Sequence, residues 1–268
     1  MRINSAKYNI GRVVLNKHRH DMHQILFVTE GTASVNIEGK EEKLYPGYVM
    51  LLSRFEDHSL NSSSDNYGRY MISISSESSV ACKENYVLTS VLVNRCKNFK
   101  HVINTNEDAK TFESIFADIV KEYDNRSVMY EEKLDMLLGQ LLVELYRISP
   151  DIFLQDNRVN VSMVEKIQHD FEENFGKEFS LSGLADEYHI SSSHLAHVFK
   201  SVTGFSPIDY LFTCRLTAAK KYLASSDKTV KEIVEICGFG DESNFSRMFK
   251  SKVGMTPTAY RREYTYQR

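Results

Sequence analysis

The stretch Phe199-Lys200-Ser201-x-x-Gly204-x-Ser206-Pro207-x-x-Tyr210 recurs fifty residues later as Phe249-Lys250-Ser251-x-x-Gly254-x-Thr256-Pro257-x-x-Tyr260. Six of these positions are identical and one is a Ser/Thr exchange. Agreement of that kind at a fixed offset marks a duplicated supersecondary unit.

Upstream of each copy lies one pattern. In the first, Ser180 caps a helix carrying Leu181, Leu184, Ala185 and Tyr188; a break at His189-Ile190-Ser191 precedes a second helix with Leu195, Val198 and Phe199 turned inward. In the second, Thr229-Val230-Lys231-Glu232 is a capping box opening a helix with Val230, Ile233, Val234 and Cys237. Its break is Gly238-Phe239-Gly240-Asp241, after which Phe245, Met248 and Phe249 face inward. Two short helices across a tight turn describe a helix-turn-helix, here at 180–200 and 229–250. Residues Ile208 to Leu223 read as a connecting helix with Leu211, Leu216, Ala219 and Leu223 available for packing. A single such unit is hard to tell from an ordinary helical hairpin. Two on a stiff connector suit helices entering successive major grooves, about 34 Å apart on one face of DNA.

Composition agrees with a folded chain. Of 268 residues 42% are hydrophobic and 26% charged, which excludes a disordered, collagen-like or coiled-coil protein. Four Pro and twelve Gly leave no room for a long flexible linker. No apolar run approaches the ~18 residues that span a bilayer. The start, Met1-Arg2-Ile3-Asn4-Ser5, lacks a secretory apolar stretch, so a cytoplasmic protein without membrane partners is expected. Cys82, Cys96, Cys214 and Cys237 are scattered and read as reduced, mostly buried thiols. The net charge of −3 hides an asymmetry: residues 191–268 hold twelve Lys and Arg against seven Asp and Glu, or +5, leaving −8 on the first 190. That distribution permits a nucleic-acid partner without requiring one.

Residues 12 to 75 read as short strands with Gly turns, the pattern of a β-sandwich or barrel: 24–28, 33–37, the strand after the Glu38-Gly39-Lys40 turn, 49–52 and 70–74. Residues 62–66 read as an exposed loop. From about 107 the period turns helical, with Phe112, Ile115, Phe116, Ile119 and Val120, then Leu134, Leu137, Leu138, Leu141, Leu142 and Leu145. The leucine stripe is wide for one helix; it packs on the barrel or on a second copy, and a homodimer is the expectation. The expected domains are a sensing barrel at 1–105, a helical dimerisation segment at 106–150, a linker at 151–160 and an all-helical domain at 161–268. The fold class is therefore α+β multidomain, a β-barrel with a helical pair followed by an all-α domain.

The last hundred or so residues resemble the AraC/XylS family of bacterial transcription regulators. Gly238-Phe239, Phe245-Ser246-Arg247-Met248-Phe249-Lys250, Gly254-Met255-Thr256-Pro257 and Tyr260-Arg261 carry the resemblance. It implies a seven-helix DNA-binding domain with two helix-turn-helix units, a preceding effector and dimerisation domain, and partners comprising double-stranded DNA, a small-molecule effector and RNA polymerase. The family habit is activation.

Positions not claimed by the core are those able to reach bases: Ser192, Ser193, Ala196 and His197 on the first recognition helix, and Glu242, Ser243, Ser246 and Arg247 on the second. Family members similarly read bases from these positions. Arg247 can bind guanine O6 and N7 together, or contact a phosphate instead. Glu242 either accepts from cytosine N4 or positions Arg247. Asp241 reads as an N-cap, His194 and Asn244 as packing or backbone-bonding residues, and Lys200 and Lys250 as phosphate neighbours.

In the N-terminal half, His18-Arg19-His20, Gln24, Gly31, Pro46-Gly47 and His58 resemble the cupin motif pair, with Gln24 where that motif has Glu. Strand alternation places His18 and His20 on one face and His23 on the other. The preferred expectation is a metal-free effector pocket lined by His18, His20, Gln24 and His58, with no cofactor. A metal on His18, His20 and His58 is the lesser alternative, since Gln is a weak neutral ligand. Nothing resembles a nucleophile-base constellation or a phosphate-cradling loop, so no enzyme is expected. The competing classes are a metal-dependent cupin enzyme with a helical appendage and a helical module that binds protein.

Overall fold

The computed structural model describes residues 2–75, 90–92, 95, 99–153 and 158–265. Cys82 and Cys96 lie outside the described residues. The chain divides into two compact units, Met1–Arg158 and Val159–Arg268. That division falls inside the segment expected to be a linker.

The first unit has two antiparallel sheets. Strands β1 (Arg2–Ile10), β8 (Gly68–Ser75), β3 (His23–Glu30), β6 (Tyr48–Leu52) and β9 (Val102–Asn104) form one, in that order. Strands β2 (Val14–His18), β7 (His58–Ser62), β4 (Ala33–Ile37) and β5 (Lys40–Leu44) form the other. Leu26, Val28, Met50 and Leu52 from the first sheet meet Ala33, Val35, Ile37, Leu44 and Leu60 from the second in one core. The alternate residues of β3 are buried as well. Phe27 stacks on Phe116 of helix α1 (Ala109–Asn125), ring centroids 5.5 Å apart. Burial on both faces explains why Ile25-Leu26-Phe27-Val28 is continuously apolar rather than alternating.

Helix α2 (Tyr130–Ile148) packs beside α1, and its Leu134, Leu138, Leu141, Leu142 and Leu145 are all buried within the single chain. Five of the stripe's six leucines are therefore covered inside the protomer, with Leu137 half-buried, so the width of the stripe does not by itself call for a second copy. The expected linker is also partly helical. Pro150–Phe153 forms the short helix α3, and Phe153 is buried, its ring stacked on Tyr146 at 6.3 Å. Two further strands were not foreseen: β9, and β1, which starts ten residues before the expected strand region with Ile3 and Ala6 buried.

The second unit contains seven helices among the described residues: α4 (Arg158–Glu173), α5 (Leu181–Glu187), α6 (Ser192–Thr203), α7 (Pro207–Ser225), α8 (Val230–Ile236), α9 (Glu242–Val253) and α10 (Pro257–Thr265). The duplicated motif has a packing explanation. In the first copy the Phe199 and Tyr210 rings stand 5.6 Å apart at 75°, and in the second Phe249 and Tyr260 stand 5.6 Å apart at 81°. These are the favoured edge-to-face geometry. Gly204 and Gly254 end α6 and α9 in the left-handed conformation, with φ of 80° and 86°.

Connector α7 serves both copies. Tyr210, Leu211 and Cys214 are buried at its first half, while Ala219 and Leu223 join Ile233, Val234, Cys237, Phe245 and Phe249 in the core of the second copy. The free thiols Cys214 and Cys237 are both buried, and burial pushes the Cys237 thiol up to about 12. Among the described residues no helix is long and apolar enough to cross a membrane.

Candidate functional site

The two helix-turn-helix units are built by local hydrogen bonding. Ser180 Oγ accepts from the Gly183 N–H at 3.0 Å and Ser191 Oγ from the His194 N–H at 3.2 Å, opening α5 and α6. In the second unit Thr229 Oγ1 accepts from the Glu232 N–H at 3.2 Å, while Glu232 Oε2 accepts from the Thr229 N–H at 2.7 Å, a complete capping box. Asp241 Oδ1 accepts from the Asn244 N–H at 2.6 Å and opens α9, as its expected N-cap role requires. N-caps Ser180 and Thr229 lie 49 positions apart, but Ser191 and Asp241 lie 50 apart, so the second turn is one residue longer. Both turns need one left-handed residue: His189 at φ 54° in the first, Gly238 at φ 71° in the second.

Helices α6 and α9 are divided in the same way. Leu195, Val198 and Phe199 are buried on α6, and Phe245 and Phe249 on α9. Away from these, Ser193, His197 and Lys200 are exposed and Ser192 and Ala196 half-buried on α6. On α9, Glu242, Ser243, Arg247 and Lys250 are exposed and Ser246 half-buried. Among the described residues Glu242 and Arg247 form no ion pair, so the guanidinium is not held by that carboxylate. Of the two roles expected for His194 and Asn244, packing is not seen: both side chains are exposed in the first turns of α6 and α9, and their backbone N–H groups bond the caps. Their matching positions one turn before His197 and Arg247 were visible in the repeat, but residue type alone did not give their direction.

The first unit gathers three imidazoles. His18 and His58 are register partners on β2 and β7, with rings 4.3 Å apart. His20 lies 4.9 Å from His58 and 5.9 Å from His18, ring to ring. Strand β2 ends at His18, so His20 reaches the cluster from the following turn and not by strand alternation. One ligand atom from each of the three lies within 4.8 Å of the others. Gln24 is half-buried on β3, beside the His20 ring, and its amide Nε2 donates to Ser73 Oγ at 3.4 Å. Desolvation lowers the pKa of His20, opposed by the Met22 carbonyl and the Gln24 amide; desolvation likewise lowers His58 to about 4. His23 is apart from the cluster, fully buried with Nδ1 3.3 Å from Ser53 Oγ. Behind His58 sits a buried carboxylate. Glu56 takes the Arg95 Nε–H at 2.6 Å and the Ser53 N–H at 2.6 Å, with His101 Nε2 at 3.2 Å.

Residues 8–86 match the family model for an AraC-like ligand binding domain, and residues 184–263 match that for a helix-turn-helix domain. The HTH-type transcriptional activator RhaS of Mannheimia succiniciproducens is 24% identical over 268 residues, covering 92% of this chain and 90% of that protein. The chain belongs to the AraC/XylS family of transcription regulators. A stretch of this AraC/XylS regulator also matches the bifunctional transcriptional activator/DNA repair enzyme AdaA of Bacillus subtilis, 34% identical over 98 residues, or 37% of this chain and 46% of that protein. In fold, the whole AraC/XylS chain is similar to fatty-acid-bound ToxT from Vibrio cholerae, with a TM-score of 0.59 at 18% identity over 99% of this chain and 98% of that one. An N-terminal antiparallel sheet domain and a C-terminal helix-turn-helix domain are thus common to both.

Proposed function

We propose that this regulator reads duplex DNA with the exposed starts of α6 and α9 and changes its DNA binding when its barrel takes up a small-molecule effector. One observation carries the DNA assignment: two capped helices with the same buried backs leave Ser193 and His197 on one, and Ser243 and Arg247 on the other, exposed at equivalent places. Ser192, Ala196, Glu242 and Ser246 flank them, and Lys200 and Lys250 neutralise phosphates. Arg247 is the principal base reader. With no Arg on α6, the first unit contributes backbone and shape recognition.

The effector site is the barrel end where His18, His20, Gln24 and His58 converge. Relatives named as activators support activation, with RNA polymerase as the further partner. The protein works by binding and not by turnover, in the cytoplasm where duplex DNA is available. A homodimer belongs to the same proposal. Since α2 covers most of its leucines internally, a dimer would use other surface, such as the α1–α2 corner, where Val128 is 96% and Met129 66% exposed.

Selection from a random duplex pool, followed by fluorescence anisotropy over a salt series, tests the DNA assignment. The expected result is an enriched sequence bound about a thousandfold or more tighter than random duplex, with affinity falling as salt rises. No enrichment, together with salt-insensitive binding, overturns it.

A further inference from the structure

We infer that His18, His20 and His58 form a site for a divalent transition-metal ion of the zinc class, held by three imidazole Nε2 atoms with one coordination position left open. The inference names the ligand chemistry of the barrel site proposed above, and rests on that proposal only for its regulatory consequence.

The tautomers carry the case. Each ring places Nδ1 against a main-chain carbonyl two residues away: His18 on Asn16 at 2.9 Å, His20 on Met22 at 2.8 Å, and His58 on Glu56 at 2.9 Å. A carbonyl only accepts, so every Nδ1 must carry the hydrogen and donate it. In the neutral ring the lone pair then sits on Nε2. Three separate backbone segments thus fix the same tautomer. This is the outer-shell arrangement that orients metal-binding histidines and raises their basicity.

The cluster also holds an unanswered acceptor. His20 Nε2 is buried and makes no hydrogen bond of good geometry among the described residues, although the Gln24 amide lies beside the ring. A buried acceptor left unsatisfied costs about 1–3 kcal/mol, and no neighbouring imidazole can relieve it, because their own protons are committed to carbonyls. Protonating the rings is no remedy either: it would put like charges on rings 4.3–5.9 Å apart. A cation answers all three lone pairs together.

The size is suitable. Metal–nitrogen bonds of ~2.0–2.1 Å place three nitrogens roughly 3.3–3.4 Å apart in a tetrahedral set, and one ring nitrogen from each histidine already lies within 4.8 Å of the others. Hard ions are disfavoured. Calcium and magnesium prefer oxygen ligands, and the nearby carboxylates are engaged elsewhere: Glu56 by Arg95, and Asp57 by Arg19 at 2.7 Å and Lys17 at 3.1 Å. Gln24 adds no charge, so the bound ion keeps its full positive charge, and its open position suits an anionic or neutral donor.

The test uses the full chain, stripped with chelator and dialysed. Co²⁺ is added and followed by its visible d–d absorption; Zn²⁺ is followed by calorimetry. One ion per chain is expected, with a tetrahedral-type Co²⁺ spectrum. His18 is exposed, so His18→Ala leaves the core intact; it and His20→Ala should each weaken binding by more than the ~10–100-fold that loss of an outer-shell partner costs. His197→Ala, on α6, should change nothing. Circular dichroism melts establish that each variant is folded. Absence of a Co²⁺ spectrum at micromolar protein and equimolar metal, or binding that survives both His18→Ala and His20→Ala, overturns the inference. Duplex selection with the same stripped chain is read separately, so failure of the metal site and failure of DNA binding are told apart.

Discussion

The carbonyl oxygen of Gly176 stands 2.7 Å from the point that a Cβ on Gly238 would occupy. The converse also holds, since a Cβ on Gly176 would meet the Ile236 carbonyl at 2.4 Å. Around this crossing Arg215 of α7 donates from Nε to the Phe175 carbonyl at 2.8 Å and from its terminal nitrogen to the Lys177 carbonyl at 2.7 Å. The turn of the second helix-turn-helix is thereby pressed against the loop that leads into the first. Two glycines and one arginine fix how the two DNA-binding units are braced.

Gly238→Ala is accordingly expected to destabilise the protein. A left-handed non-Gly residue costs about 1–2 kcal/mol, and forcing a methyl against a backbone oxygen adds roughly 1–3 kcal/mol of overpacking. Urea unfolding should show a loss of about 2–5 kcal/mol by these figures. Gly240→Ala, two residues on, is the control: a Cβ there meets nothing within 4 Å, and stability should hold or rise slightly. Equal effects from the two substitutions would show that the crossing has no special role.

The buried Glu56 predicts a different dependence. Burial alone would raise its pKa, but the Arg95 guanidinium and His101 overcome that and hold the carboxyl well below the usual range. A carboxyl depressed in the folded state contributes stability above its unfolded pKa and loses it as pH falls toward the folded value. Arg95→Met should cost about 3–5 kcal/mol at pH 7 by stranding the carboxylate. The loss should shrink in the double variant with Glu56→Gln. Thermal melts of the two variants and the parent at pH 7 and pH 3.5 check both statements; a single-variant loss that the second substitution fails to relieve would refute the pairing.

How much of this was legible in the sequence depended on range. The helix-turn-helix units were readable because caps, turns and inward faces are set within a few residues, as Thr229 with Glu232 and Asp241 with Asn244 show. The barrel was half readable. Strand β3 announces itself by four consecutive apolar residues, whereas β1, Arg2–Ile10, alternates too weakly and is held by pairing with β8. Phe153 looked like linker because its partners, the Tyr146 and Phe99 rings, are not marked by any local pattern. At the candidate site the histidines could be named from their spacing, but not their tautomers. Those are set by the Asn16, Met22 and Glu56 carbonyls, which any residue type would supply.

Glu165 on α4 shows the opposite electrostatics from Glu56. Burial, with no compensating partner at Oε1, raises its pKa to about 7. An acid raised in the folded state penalises folding progressively as pH climbs from the unfolded value through the folded one, and fully above it. Glu165→Gln removes the charge at nearly constant shape. It should stabilise the protein by about 1–3 kcal/mol at pH 8.5 and leave it nearly unchanged at pH 4.5. Paired thermal melts at those two pH values decide it, and a pH-independent difference would mean that the carboxyl titrates normally.

Arg247 and Lys250 stand one turn apart on α9, both exposed, yet they are assigned different tasks. If Arg247 reads a base edge, Arg247→Ala should cost about 1–3 kcal/mol on the selected site, relax preference at one base pair and leave random duplex nearly unaffected. If Lys250 neutralises a phosphate, Lys250→Ala should weaken selected and random duplex alike, and lower the salt slope by about one. Anisotropy titrations of both variants on both DNAs, at four salt concentrations, separate the two behaviours. Uniform weakening by Arg247→Ala, with a reduced salt slope, would return that guanidinium to the backbone and leave base reading on α9 to Glu242, Ser243 and Ser246.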